Sequence, residues 1–154
     1  MDASTAAGKP ALADSRALRR TLLGLLIALV VQATLGAGVN EYVTTPKSAR
    51  GAGVLAAFAK AISDGGPALA LHAILGALVT LGSIAGLVRA VRARRWPAIL
   101  ACTAGLACLL GAFAAGAAFV GDTKSGSSMA MAVLTGAAMI AYLLAYSSVA
   151  AIRD

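Results

Sequence analysis

The chain contains one histidine, His72, and this side chain is the best placed of all to carry chemistry. It lies in an apolar stretch over residues 67–88 that reads PALALHAILGALVTLGSIAGLV. A neutral imidazole can donate one hydrogen bond and accept another, or it can ligate a metal through its unprotonated nitrogen. Ionisable groups within long apolar segments are costly, usually face the interior of a bundle and often serve a function. His72 is therefore the first candidate for a binding residue.

Three interpretations of His72 are open from the residues alone. It can make a structural hydrogen bond across helices, and the available partners are Gln32, Asn40, Ser127 and Ser128. It can belong to a proton or substrate path, which would need further titratable groups inside the apolar stretches. The nearest carboxylates, Glu41, Asp64 and Asp122, all fall at or beyond the ends of those stretches. It can also ligate a haem, which needs a neutral ring nitrogen directed into a core lined by small residues.

The elements that must position His72 follow from composition. Of 154 residues, 60% are hydrophobic and 12% are charged, and the mean hydropathy is +0.86, whereas soluble domains carry roughly 25% charged residues. The apolar residues form four runs, over residues 21–39, 67–88, 97–120 and 129–152. Each run has the length of about 20 residues that a helix needs to cross a bilayer, and none alternates as a membrane strand would. The sequence predicts an all-α membrane protein with four spans.

The first run follows the basic segment SRALRR and could also be read as a signal peptide. It is longer than the usual apolar part of such a peptide, and the small residues near its end make a poor cleavage site. We therefore expect a retained membrane anchor.

The net charge of +7 is distributed unevenly along the chain. Nine of the 13 basic residues precede the first run, lie between the second and third, or follow the fourth. This asymmetry predicts that both termini and the RAVRARRW turn are cytoplasmic, as in a bacterial inner-membrane protein. It accounts for the basic residues as a topology signal in contact with lipid headgroups, so we expect the lipid bilayer and not nucleic acid as the partner.

The remaining segments complete the expected organisation. Residues 1–15 predict a disordered cytoplasmic tail, and residues 16–154 a single transmembrane domain. Within the longest connection, the segment 51–62 is amphipathic, with Val54, Leu55, Phe58 and Ile62 on one helical face. We expect it to lie on the outer membrane surface or to cap the bundle.

A weak internal repeat suggests the arrangement of the spans. The stretch 71–79 aligns with 131–139, matching Gly76 with Gly136, and 32–39 can be laid on 112–119, matching Gly36 with Gly116. The predicted fold is an antiparallel four-helix transmembrane bundle made of two similar helical hairpins.

The arrangement resembles one half of a haem A synthase and, more loosely, small four-helix b-type membrane cytochromes. The resemblance rests on the four spans, on VVQATLGAGVNEYV at the end of the first span, and on a histidine near the start of the second. It implies that His72 is an axial ligand to a haem near the outer face, with Gln32 as a polar neighbour.

Several positions depart from that family. The family has a glutamate three residues before its first histidine and commonly an arginine just after it, where this chain has Leu69 and Ala73. The family's loop cysteine pair is absent from residues 40–66, and the repeat places Ala132 where a second histidine would stand. The oxidising chemistry of the family is therefore not carried over.

Met129 and Met131 flank the position of the missing histidine. A thioether can serve as a sixth haem ligand, although two residues at this spacing on a helix point in different directions, so at most one can serve. Cys102 and Cys108 lie about 9 Å apart along a helix and on different faces, too far for a disulfide, and are expected to be packing residues.

No pairing of a nucleophile with a base, no phosphate-binding loop and no metal-ligand spacing is found in the sequence. We therefore expect a non-enzymatic membrane protein of accessory or structural type, which contacts partner proteins or further copies of itself. The alternative is a haem-binding protein with His72 as axial ligand.

Overall fold

The computed structural model describes residues 3–122 and 125–150, with side chains over 13–121 and 126–150. In these ranges the chain is helical and has no strand. Its helices are α1 (Ala3–Tyr42), α2 (Val54–Ser63), α3 (Gly66–Arg92), α4 (Trp96–Asp122) and α5 (Ser125–Ala150), with a short 3-10 turn at Lys47–Ala49. All except α2 contain a segment long and apolar enough to cross a membrane. The predicted all-α class is confirmed, and the helices are those of a multi-pass membrane protein.

Helix α1 begins much earlier than the first apolar run. It includes residues 3–15, which the sequence analysis assigned to a disordered tail, so that prediction is corrected for these residues. The segment is rich in alanine, the strongest helix former, and it continues directly from the span. Extending an existing helix avoids the cost of nucleating a new one.

The four long helices form an antiparallel bundle. Helix α1 packs against α3 and α5, and α4 packs against the same two helices. We call the end of the bundle that carries the α3–α4 turn and the arginines of α1 the arginine end. The opposite end, where α2 lies, is the α2 end.

A closely packed core fills the half of the bundle towards the arginine end, which we call the arginine half. It is built from Leu18, Leu22, Leu25 and Leu29 of α1 together with buried residues of α3, α4 and α5, among them Cys102 and Tyr142. The Tyr142 side chain is fully buried and lies against Gly105, where a Cβ would come within 2.7 Å of its ring. Both cysteines are free, Cys102 buried and Cys108 half-buried.

Helix α2 packs against α3 and α4 at the α2 end, so it caps the bundle. Its buried residues are Ala57 and Ala61, whereas Leu55, which belongs to the predicted apolar face, is 79% exposed. The packed face is therefore centred on the alanines and not on the large apolar residues. Close approach of helices in a membrane favours small side chains, which leaves the large ones on the outside.

Candidate functional site

A cavity of about 460 Å³ occupies the bundle between the core of the arginine half and the cap formed by α2. All five helices contribute to its wall. Its volume lies in the range of about 300–1,000 Å³ that small-molecule and cofactor sites usually have. The residue pattern along the chain did not predict this cavity.

Small side chains on the four long helices leave this space open. The wall includes Gly36 and Ala37 of α1, Gly76 of α3, Ala112 and Gly116 of α4, and Ala132 and Gly136 of α5. A Cβ added at Gly136 would meet no atom within 4 Å. Gly105, in the arginine half, is also a glycine, but the Tyr142 ring covers it. Small residues alone therefore do not determine where the bundle is hollow.

His72 lies in the wall of the cavity, as the sequence led us to expect of a functional histidine. Its imidazole packs against Gly36, where a Cβ would lie 2.8 Å from Cε1. Its Nδ1 atom is buried without a hydrogen-bond partner among the described residues. Its Nε2 atom is 3.4 Å from Nε2 of Gln32, beyond the usual hydrogen-bond distance. The imidazole is therefore weakly held.

Gln32 makes the stronger contact between α1 and α3. Its Nε2 donates a hydrogen bond to the backbone carbonyl oxygen of His72 at 3.0 Å. Gly76 makes room for this amide, because a Cβ there would lie 2.9 Å from Gln32 Nε2. The polar tie between the two helices therefore uses the main chain at position 72 and not the imidazole.

Of the two methionines predicted as candidate ligands, Met131 lines the cavity, whereas Met129 is 68% exposed and lies outside the wall. The Met131 sulfur faces Gly116, where a Cβ would be 3.1 Å away. Gly36 and Gly116 are the residues that the internal repeat pairs. Gly36 lies against the His72 imidazole in one hairpin, and Gly116 lies against the Met131 sulfur in the other. Met131 is one position away from Ala132, which the repeat alignment matches with His72.

Two of the other predicted polar partners of His72, Ser128 and Asn40, bond to each other. Ser128 donates a hydrogen bond to Oδ1 of Asn40 at 2.8 Å, which joins α5 to α1 at the rim of the cavity.

An aromatic contact joins α2 to α4 in the cavity wall. The ring centroids of Phe58 in α2 and Phe113 in α4 lie 5.2 Å apart. This aromatic contact was not predicted, because sequence spacing does not reveal which residue of α4 meets α2.

No group of three or more histidine, cysteine, aspartate or glutamate residues is placed to hold a metal ion within 3–122 and 125–150. Comparison with protein-family models, with curated proteins and with solved structures gave no match for this chain. A proposal for the function of this protein therefore has to be based on the geometry of the cavity.

Proposed function

We propose that this protein is a non-enzymatic, multi-pass membrane protein whose cavity binds an apolar ligand taken up from the bilayer. The observation that carries the proposal is the cavity of about 460 Å³ beside a fully packed half-bundle. Protein interiors are normally packed without large voids, and small residues that simply packed helices together would close this one. An accessory role in a larger membrane assembly is compatible with such a ligand site.

The proposal is tested by identifying small molecules that stay bound to the purified protein. Gly136→Leu places a side chain in the cavity without a steric clash at Cβ. Gly24→Leu is the matched control, since Gly24 also has open space around it but is not part of the cavity wall. We expect wild type and Gly24→Leu to retain the same apolar molecule in native mass spectrometry and Gly136→Leu to lose it. Absence of any bound molecule from all three proteins would overturn the proposal.

Haem is the narrower candidate for the ligand. His72 and Met131 lie in the wall on two different helices, each against a glycine. The imidazole Nδ1 has no partner among the described residues, and the long Nε2 contact with Gln32 is weak enough to be exchanged for a metal. His72 would supply an axial nitrogen and Met131 a thioether. Such ligation raises the potential of a haem relative to two histidines.

The absorption spectrum of protein made in haem-replete cells tests this candidate. We expect a Soret band that His72→Ala abolishes. Met131→Leu should shift the spectrum towards five-coordinate, high-spin haem, and Ala132→His should favour a low-spin form with two nitrogen ligands. A colourless wild-type protein that still retains another apolar molecule would exclude haem and leave the ligand-binding proposal intact.

We further propose that the protein lies in the inner membrane of a bacterium with the arginine end in the cytoplasm. The support is the concentration of basic residues at that end, which follows the positive-inside rule. Reporter enzymes fused after Ala93 should be active as cytoplasmic reporters, and those inserted near Gly51 as external ones. The reverse pattern would contradict this orientation.

A further inference from the structure

The arginine end carries a concentrated positive charge. The residues that form it are Arg16, Arg19, Arg20, Arg89, Arg92, Arg94 and Arg95. Among the residues whose side chains are described, Asp14 is the only carboxylate at this end. The described side chains therefore leave the charge of the cluster largely uncompensated.

Two of these arginines have partners within the bundle. Arg19 donates through Nε to the Tyr146 hydroxyl at 3.1 Å, and its guanidinium carbon lies 5.2 Å from the centre of the same ring. Arg89 donates to the backbone carbonyl oxygen of Ala17 at 3.3 Å. These contacts join α1 to α5 and α3, so they serve the fold. The other arginines are exposed or half-buried.

Arg94 occupies a backbone position that favours glycine. Its φ is +52°. The amide of Arg94 bonds to the carbonyl of Val91, and the amide of Arg95 bonds to that of Ala90, which is the hydrogen-bond pattern of a Schellman helix end. Glycine would adopt this left-handed conformation without steric cost, whereas other residues pay about 1 kcal/mol or more. The arginine at position 94 therefore does not stabilise the turn, and we look for its role in the charge of its side chain.

Apolar surface adjoins the cluster. Val91 in the last turn of α3 is 53% exposed and Trp96 at the start of α4 is 72% exposed. Arginine presents a fork of donors that fits phosphate oxygens in pairs. A ligand with a phosphate group and apolar chains would contact both parts of this surface, whereas free phosphate would contact only the first.

We propose that the arginine end is a binding site for anionic phospholipids, in which Arg92, Arg94 and Arg95 contact the phosphodiester headgroup. Basic residues near the surface of a membrane each strengthen the attraction for anionic lipid by about five-fold, the factor that corresponds to about 1 kcal/mol. The site is distinct from the cavity, because it lies at the opposite end of the bundle.

The only tryptophan of the chain, Trp96, reports directly on this site. The purified full-length protein is reconstituted into equimolar vesicles of phosphatidylglycerol and phosphatidylcholine, with brominated acyl chains on one lipid or the other. Bromine quenches a nearby tryptophan, so the two samples compare the lipids in contact with Trp96. We expect stronger quenching from brominated phosphatidylglycerol than from brominated phosphatidylcholine.

Matched variants decide whether the arginines cause this preference. Arg94→Gly keeps the backbone conformation of the turn and should reduce the preference by about five-fold, and Arg92→Gln should do the same. Lys47→Gln removes a charge at the α2 end and should change nothing. Equal quenching by the two lipids, or a preference that Arg94→Gly leaves intact, would overturn the proposal. So would a preference that inorganic phosphate abolishes when sodium chloride of the same ionic strength does not, since free phosphate would then be the ligand.

Discussion

The two halves of the bundle are made from similar residues but are packed differently. In the arginine half, leucines of α1 and the Tyr142 ring fill the space beside small residues such as Gly105. In the half towards the α2 end, Gly136 faces open space, with no atom within 4 Å of the position of its missing Cβ, and a cavity remains. The difference shows that a glycine in a membrane helix serves close packing only when a partner side chain fills the groove that it leaves.

Polar groups in the half towards the α2 end are held unequally. At the α2 end Ser128 bonds to Asn40, and Gln32 bonds to the backbone of His72. Among the residues with described side chains, the nitrogens of the His72 imidazole have one polar contact, the long one with Gln32. A structural histidine would be expected to have both nitrogens satisfied, because unpaired polar groups in an apolar interior are costly. The weakly held imidazole is therefore better suited to a ligand than to a tie between helices.

The largest expected effect is the loss of a leucine from the arginine half. Leu22 is fully buried, so Leu22→Ala should lower the free energy of unfolding by about 2–5 kcal/mol. Met131→Ala should cost less, because the Met131 side chain already borders a void. Unfolding by sodium dodecyl sulfate, followed by circular dichroism, compares the two. Equal losses would contradict the difference in packing.

Two glycine substitutions test the same difference in packing between the two halves. A Cβ at Gly105 would meet three atoms of the buried Tyr142 ring at 2.7, 2.8 and 3.1 Å, and Gly105→Ala should cost about 1–3 kcal/mol. A Cβ at Gly36 would lie at a similar distance, 2.8 Å, from Cε1 of the His72 imidazole. This ring, however, borders the cavity and can move. We expect Gly36→Ala to unfold at a higher detergent fraction than Gly105→Ala. The reverse order would show that the imidazole is fixed.

The tie between α1 and α3 is expected to have an intermediate effect. Gln32→Leu removes the hydrogen bond to the His72 carbonyl and should cost about 0.6 kcal/mol, with an upper range near 1.7 kcal/mol. His72→Ala keeps that carbonyl, so its effect on stability in the absence of a ligand should be smaller. A double-mutant cycle between the two positions measures their coupling. Strong coupling would restore the structural interpretation of His72.

The smallest effect is a pH dependence confined to the α2 end. Hydrogen bonds from Ser48 and Ser63, together with the charge of Lys60, hold the pKa of the exposed Asp64 below its ordinary value. A lowered pKa in the folded state contributes stability above the ordinary pKa of about 3.9, and this contribution is lost as the pH falls through the lowered value. The protection factors of the α2 amides, which compare the measured exchange rate with the intrinsic rate at the same pH, should therefore fall in acid. Asp64→Asn should remove that dependence, and an unchanged acid response in this variant would assign it to another group.

The sequence predicted the helices well because each depends on local hydrophobicity and length. Four apolar runs determine four long helices, and the position of His72 within the second run places it towards the α2 end. The amphipathic segment was also identified, as a helix that lies on the membrane surface or caps the bundle. Its apolar face did not indicate which residues pack against α3 and α4, and these are Ala57 and Ala61.

The cavity could not be predicted in the same way. Its existence depends on which small residue of one helix meets which large residue of another, and that register is set by the whole bundle. The sequence does not distinguish the surroundings of Gly105 from those of Gly136, yet Gly105 faces Tyr142 and Gly136 faces open space. The same reason explains why the contact with Gly116 is made by Met131 and not by the neighbouring Ala132. The contacts of Met131 with Gly116 and of His72 with Gly36 become visible only when the helices are assembled.

The central claim is that the cavity is a ligand site and not a packing defect. The most direct test is the unfolding temperature of Gly136→Leu in nanodiscs taken straight from the cell membrane, so that no bound molecule is stripped by detergent. A side chain that displaces a ligand removes the stabilisation which that ligand supplies, so we predict a lower unfolding temperature than for wild type and for Gly24→Leu. A higher unfolding temperature for Gly136→Leu would contradict the claim, because filling an empty void stabilises a protein.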